Sequence, residues 1–451
     1  MKKAFILLFL LALLVGNFAC EDALELNDPN NIGSNIALST DKNVKTTLVG
    51  AYNDLSNGAF YGGNTLRNSE LLAANSEVVF SGTFNDVADI YRKTMITANT
   101  DVTNLWLTAY SAINIANNVL SALTVVNDAD RNQVEGEALF IRGLSYFELI
   151  LFYGQPYSAG NATTNAGVPI LLEEDRNSTA PVPRATVQEV YDQIISDLTA
   201  AAGKLSPGPV PGKATQEAAD AILSRVYLQM GNFAAARDAA DRVITSGNYS
   251  LRPTVASVFN GASTSEDIFD IPVSTVDGVN NMNTFYASAA NGGRGDIEIL
   301  PAHLALYEPL DERLNLFYID AGTGDTRSGK FSNRFASVKV VRLAEMYLTR
   351  AECNVRLATN VGDSPLNDIN LIRNRSGLTD LGSVDLAAVL LERRLELAHE
   401  GLRLHDMKRL QQTVVEGALA FPYTDAKLVF PIPQREINVN ASLVQNSGYG
   451  N

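Results

Sequence analysis

Within residues 215–247, apolar side chains fall at helical spacing on both sides of one short turn. Ala218, Ile222, Tyr227 and Leu228 precede Gly231-Asn232, and Phe233, Ala236, Ala240 and Val243 follow it. The spacing predicts two short helices folded back on each other, each with one apolar stripe. Small side chains on the facing stripes let the helices approach closely. A pair of this size still has an apolar face left over, and only further pairs stacked against it can cover that face. Two more such pairs can be drawn, over residues 103–152 and 338–375.

Helical patterning recurs elsewhere. Trp106, Tyr110, Ile113, Asn117 and Leu120 make one mostly apolar stripe, on which the single tryptophan is expected to pack inward. Val134, Ala138, Ile141, Ser145, Leu149 and Phe152 make another. Thr186 and Glu189 have the spacing of a capping box, which opens a helix carrying Val187, Val190, Tyr191, Ile194 and Leu198. The run Pro207-Gly-Pro-Val-Pro-Gly212 forbids a continuous helix, so the next begins near Ala214. The turn at Gly231-Asn232 and its flanks match the tetratricopeptide pattern, whose period is about 34 residues. The expected fold is mainly α: a tetratricopeptide-like helical repeat scaffold with large loop-rich insertions. The insertions are the polar, Gly/Asn-rich stretches 57–91, 161–185 and 250–337, whose aromatics have no periodic partner. Long irregular segments in a compact protein commonly carry function.

The chain opens with Lys2 and Lys3, runs apolar from Ala4 to Val15, and reaches Ala19 just before Cys20. Residues 1–19 read as a lipoprotein signal peptide and Cys20 as the acylated residue. The apolar run is shorter than the roughly 18–20 residues of a membrane span. With Cys20 carrying lipid, Cys353 has no intramolecular partner, so stability must come from a core and not from a disulfide. The formal net charge is −15, and removal of Lys2 and Lys3 with the signal leaves −17. That field repels polyanions, and no nucleic-acid partner is expected.

Residues 390–410 read Leu-Leu-Glu-Arg-Arg-Leu-Glu-Leu-Ala-His-Glu-Gly-Leu-Arg-Leu-His-Asp-Met-Lys-Arg-Leu. This closely resembles the signature of the SusD/RagB family. Glu137-Ala-Leu-Phe-Ile-Arg-Gly-Leu-Ser-Tyr-Phe147, Arg342-Leu-Ala-Glu-Met-Tyr-Leu-Thr-Arg-Ala-Glu352, Ile369-Asn-Leu-Ile-Arg-Asn-Arg375, Phe430-Pro-Ile-Pro433 and Gln445-Asn-Ser-Gly-Tyr449 resemble further family segments in the same order. Ser447 and His405 depart from the usual family residues. The resemblance implies an N-terminal half over 20–249 with the helix pairs, and a C-terminal half over 250–451 with a loop-rich insertion and the signature helix. It implies a surface-exposed, lipid-anchored outer-membrane protein that is not an enzyme and needs no cofactor. Its ligand would be an oligosaccharide, or alternatively a peptide, passed to a SusC-like TonB-dependent outer-membrane transporter. Glu21-Asp22 is similar to the acidic start of surface lipoproteins in Bacteroidetes.

Read physically, the signature is architecture. Arg393 and Glu396, Arg403 and Asp406, and Asp406 and Arg409 lie three apart, which in one helix brings opposite charges onto one face. No catalytic or metal set is expected. His399 and His405 are six apart, a step that puts them on different helix faces, unlike zinc-helix histidines four apart. Gly324 to Lys330 copies a phosphate loop, but Phe331 replaces its Ser/Thr. Arg294-Gly-Asp296 reads as an ordinary turn. The expected ligand surface lies on the loops. Tyr61, Phe80, Phe84 and Tyr286 are its candidate platforms, and Asn75, Glu77, Asn85, Asn291 and Arg294 its candidate hydrogen-bonding groups.

Overall fold

The computed structural model describes residues 34–174, 181–276 and 278–450. The signal segment and Cys20 lie outside these. Helices dominate: α1 (Asp41–Ser56), α2 (Asn64–Leu72), α3 (Asn85–Arg92), α4 (Thr100–Ser121), α5 (Asp128–Tyr153), α6 (Val187–Lys204), α7 (Gln216–Met230) and α8 (Phe233–Thr245) precede the main insertion. After α9 (Asn281–Tyr286) come α10 (Leu343–Leu357), α11 (Pro365–Arg375), α12 (Leu386–Glu396) and α13 (Arg403–Arg409). Their starts are fixed locally. Thr40, Asn99, Thr215 and Asn232 each accept a backbone N–H of the helix they precede, and Thr186 with Glu189 forms the expected capping box.

The helices stack in sequence, α1 on α4, α4 on α5, and so on through α8, which packs on α10, and α10 on α11 and α12. This is the tetratricopeptide-like scaffold. One apolar core, from Leu38 to Leu443, runs through it. Trp106 is 2% exposed and meets Tyr153 edge-on. The C-terminal motifs lock onto this stack: Phe430 lies against Phe152 with ring centroids 4.8 Å apart, and the Gln445 amide brackets both backbone groups of Ile432.

Among the described residues, four antiparallel strand pairs tie the insertions down. Residues Val338–Arg342, expected as the start of a helix pair, instead form a strand against Asp267–Ile271. Val338, Val340 and Val341 are β-branched and buried on both faces, which favours the pleated ribbon over a helix start. The stretch 57–91 is likewise not irregular. It holds α2, α3 and the strand Val78–Phe80, paired with Ile297–Ile299. That pairing brings two insertions far apart in the chain onto one face.

The signature is two helices and not one. Between α12 and α13 the chain turns through left-handed backbone at His399 (φ 65°) and Gly401 (φ 82°). Leu66 Cα would lie 2.6 Å from a Cβ on Gly401, so only glycine fits there.

Candidate functional site

The turn at His399–Gly401 lets α13 present Asp406 to Arg393 of α12. Arg393 reaches across to Asp406 (2.9 Å) and Glu345 (3.3 Å), while Arg403 turns to Glu77 (3.1 Å). Of the three pairs expected along one helix face, Asp406–Arg409 forms, at 2.7 Å. Around them lies a buried network in which Arg342 holds Glu266, Glu396 and Glu400 at 2.6–2.8 Å. Burial alone pushes the Glu396 carboxyl up, but Arg375, Arg342 and Arg313 together hold it well below the usual carboxylate range. Lys330, the lysine of the phosphate-loop lookalike, donates to Glu400 and to the Glu396 and Ala398 carbonyls. All these groups are committed to one another, and their arrangement is structural.

Glu77 belongs to the same system. Its carboxylate receives Arg394 at 2.5 Å, Arg403 at 3.1 Å and His303 at 3.2 Å, beside a cavity of about 330 Å³. Burial pushes the Glu77 carboxyl up, and these three partners hold it far below its ordinary value. Asn75, in left-handed backbone (φ 49°), donates to Glu77 and accepts the Val415 N–H. Both residues therefore hold the fold together.

Three of the four aromatic candidates are corrected by the structure. Tyr61 is 2% exposed and its hydroxyl donates to the buried Glu148. Phe80 lies inward on its strand, and Tyr286, 0% exposed on α9, packs against Phe331. None offers a ring face to solvent, because loops that fold onto a core use their aromatics as anchors. A larger groove of about 750 Å³ beside α4 offers no better platform. Its Trp106 is buried, and Tyr110 and Asn117 already donate to the Pro169, Leu171 and Glu173 carbonyls.

Phe84, Asn85 and Arg294 are exposed and lie together. Phe84, at the N-terminal end of α3, is 45% exposed, and its inner edge meets Phe285. The Arg294 guanidinium lies 4.6 Å from its ring centre, held by Asp296 (2.8 Å) and Thr83 (3.0 Å). The loop beneath is rigid. Asn291 is half-buried and donates to the Tyr318 hydroxyl, the Arg294 N–H donates to the Thr284 carbonyl, and a Cβ on Gly293 would sit 2.3 Å from the Ala287 carbonyl oxygen.

A second pair continues this surface. Phe335 is 37% exposed, with the Arg334 guanidinium 5.6 Å from its ring centre. Arg334 Nε passes 3.5 Å from where a Cβ on Gly292 would lie, so Arg334 packs beside the loop that carries Arg294. Asn280 fixes this turn by donating to the Arg334 and Ala336 carbonyls. Sequence reasoning names neither Arg334 nor Phe335 singly, although residues 315–335 are its second choice for the ligand surface. Their signal was an aromatic outside any periodic stripe, inside the turn-rich Ser332-Asn-Arg-Phe335.

Residues 23–228 match the family described as starch-binding associating with outer membrane, and residues 316–418 match the SusD family. SusD-like protein P2 of Formosa agariphila is 25% identical over an alignment of 521 residues that covers 99% of each chain. A putative sugar binding protein from Bacteroides vulgatus superposes with a TM-score of 0.83 at 26% identity, over 91% of this chain and 99% of that one. A SusD superfamily protein from Bacteroides thetaiotaomicron does so with a TM-score of 0.79 at 25% identity, over 90% and 99%. With the motifs in order, the helical stack shared and both halves matched, this chain belongs to the SusD family.

Proposed function

We propose that this protein is a cell-surface lipoprotein that captures an oligosaccharide through the surface made by Phe84, Asn85, Arg294, Arg334 and Phe335, and passes it to a SusC-like TonB-dependent transporter. The observation that carries this reading is the pair of exposed aromatic rings, each backed by a guanidinium and set on insertion loops that hydrogen bonds pin to one another. Aromatic faces stack on the apolar faces of sugar rings, and neighbouring N–H groups take sugar oxygens. Rigid loops lose little entropy on binding. Family membership and the sugar-binding description of the structural relative from B. vulgatus support the same reading. On this reading the protein binds its ligand and does not turn it over; family membership supports that, and the Glu266, Glu396 and Glu400 carboxylates around the signature are taken up by arginines and a lysine.

The anchor is the acyl chain on Cys20, which lies outside the described residues. Among the described residues no helix is long and apolar enough to cross a membrane. The test is calorimetric titration with a panel of oligosaccharides and peptides. Binding of a sugar that is lost in Phe84→Ala/Phe335→Ala supports the reading. Binding of peptides alone would overturn it.

A further inference from the structure

We infer that the oligosaccharide is acidic, with sugar rings that carry carboxylate or sulfate groups; this rests on the glycan reading above and names its ligand class. Two arginines face solvent on this surface, and their partners differ. Arg294 gives Nε to Asp296 and Nη2 to Thr83. Arg334 is exposed and, of the two, is the guanidinium without a described carboxylate partner. Its charge runs against that of the whole chain, formally −15. At physiological ionic strength fields fade over about 8 Å, so a ligand docked here feels Arg334 and Arg294 more strongly than carboxylates elsewhere.

A neutral glycan would use these guanidinium groups only as N–H donors to its hydroxyls. An acidic one would use their charge as well. A guanidinium presents a planar fork of N–H donors that matches a carboxylate or sulfate, while the ring beside it takes the sugar face. Arg294 is braced by Asp296 and Thr83, and the turn carrying Arg334 is braced by Asn280 and by Asn333, which bonds to Asn260. The aromatic–arginine pairing occurs twice, on neighbouring segments that meet at Gly292, so an oligosaccharide with more than one acidic group can meet the same chemistry twice.

The experiment is titration of the purified protein with three probes: an oligogalacturonate, a sulfated carrageenan oligosaccharide and neutral maltoheptaose. One acidic probe is expected to bind at least about tenfold more tightly than maltoheptaose, and which one identifies the oxyanion. Arg334→Gln should remove most of that advantage without moving Tm, because Arg334 is exposed and has no described carboxylate partner. Arg294→Gln should also weaken the acidic probe but lower Tm somewhat, because it leaves the buried Asp296 without its partner. Raising the salt should weaken the acidic probe and leave the neutral one unchanged. If maltoheptaose binds as tightly as either acidic probe, or if Arg334→Gln leaves the acidic affinity intact, the inference falls. In that event the glycan reading still stands, provided Phe84→Ala/Phe335→Ala weakens binding. If that double variant leaves binding of every sugar unchanged, the glycan reading of this surface falls with it.

Discussion

The guanidinium of Arg409 grips both oxygens of the Glu352 carboxylate, at 2.6 and 2.8 Å, with 2% and 0% of the two side chains exposed. The pair fastens α13 to α10, and Arg409 also donates to Asp406. Truncating one member strands a buried charge. Arg409→Ala is expected to cost about 3–5 kcal/mol, whereas Arg409→Met/Glu352→Met, which removes both charges at similar volume, should cost less than the single variant. Chemical denaturation of both variants checks this. A double variant weaker than the single one would show that the two residues do not act as a pair.

Glu148 gives the fold a pH dependence. Its carboxyl is buried and accepts the Tyr61 hydroxyl at 2.5 Å. Burial pushes its pKa up to about 7, against the pull of Tyr61 and Arg225. Between about 4.5 and 7 the folded state keeps a proton that the unfolded chain has lost, so this group's contribution falls as pH rises through that window. The full effect is of the order of 3 kcal/mol. Glu148→Gln cannot titrate and still accepts from Tyr61. Stability measured from pH 4.5 to 7.5 should therefore fall less steeply in the variant than in the wild type. Parallel slopes would place the pH dependence elsewhere.

Phe84 and Tyr286, both aromatic and both in loop-rich segments, should part company on substitution. Phe84→Ala with Phe335→Ala should weaken the true sugar ligand at least about tenfold and keep Tm within a few degrees. Tyr286→Ala empties a core position and should cost about 3–5 kcal/mol. Titration and melting curves on the same samples separate the two effects. A destabilised Phe84/Phe335 variant would mean that these rings are anchors as well.

Cys20→Ser should move the protein from the outer-membrane fraction to the soluble one, because acyl chains, and no helix among the described residues, would hold it there. Fractionation with labelled fatty acid checks it. A serine variant that still pellets, together with an unlabelled wild type, would remove the lipid anchor from the account.

The helices are legible in the sequence because their signals are local. The stripe through Val134, Ala138 and Ile141, the cap at Thr186 and the turn at Gly231-Asn232 each involve residues within a few positions of one another. The strand at Val338–Arg342 escaped because its partner is Asp267–Ile271, about seventy residues earlier, and a short β-branched run does not name its state by itself.

By itself the sequence determined the helix pairs and the capping box at Thr186, which depend on spacing along the chain, and the family, which its motifs resemble residue by residue. Only the tertiary structure decided which loop aromatics face water. Phe84 and Tyr286 have the same local credentials, yet one is 45% exposed and the other 0%. It also decided which charges pair. Arg393 and Glu396 stand three apart in one helix, yet Arg393 pairs with Asp406 and Glu345 while Glu396 pairs with Arg342 and Arg375, all brought up from other segments. Spacing fixes the face a side chain presents, and what stands opposite that face is settled by packing between segments far apart in the chain.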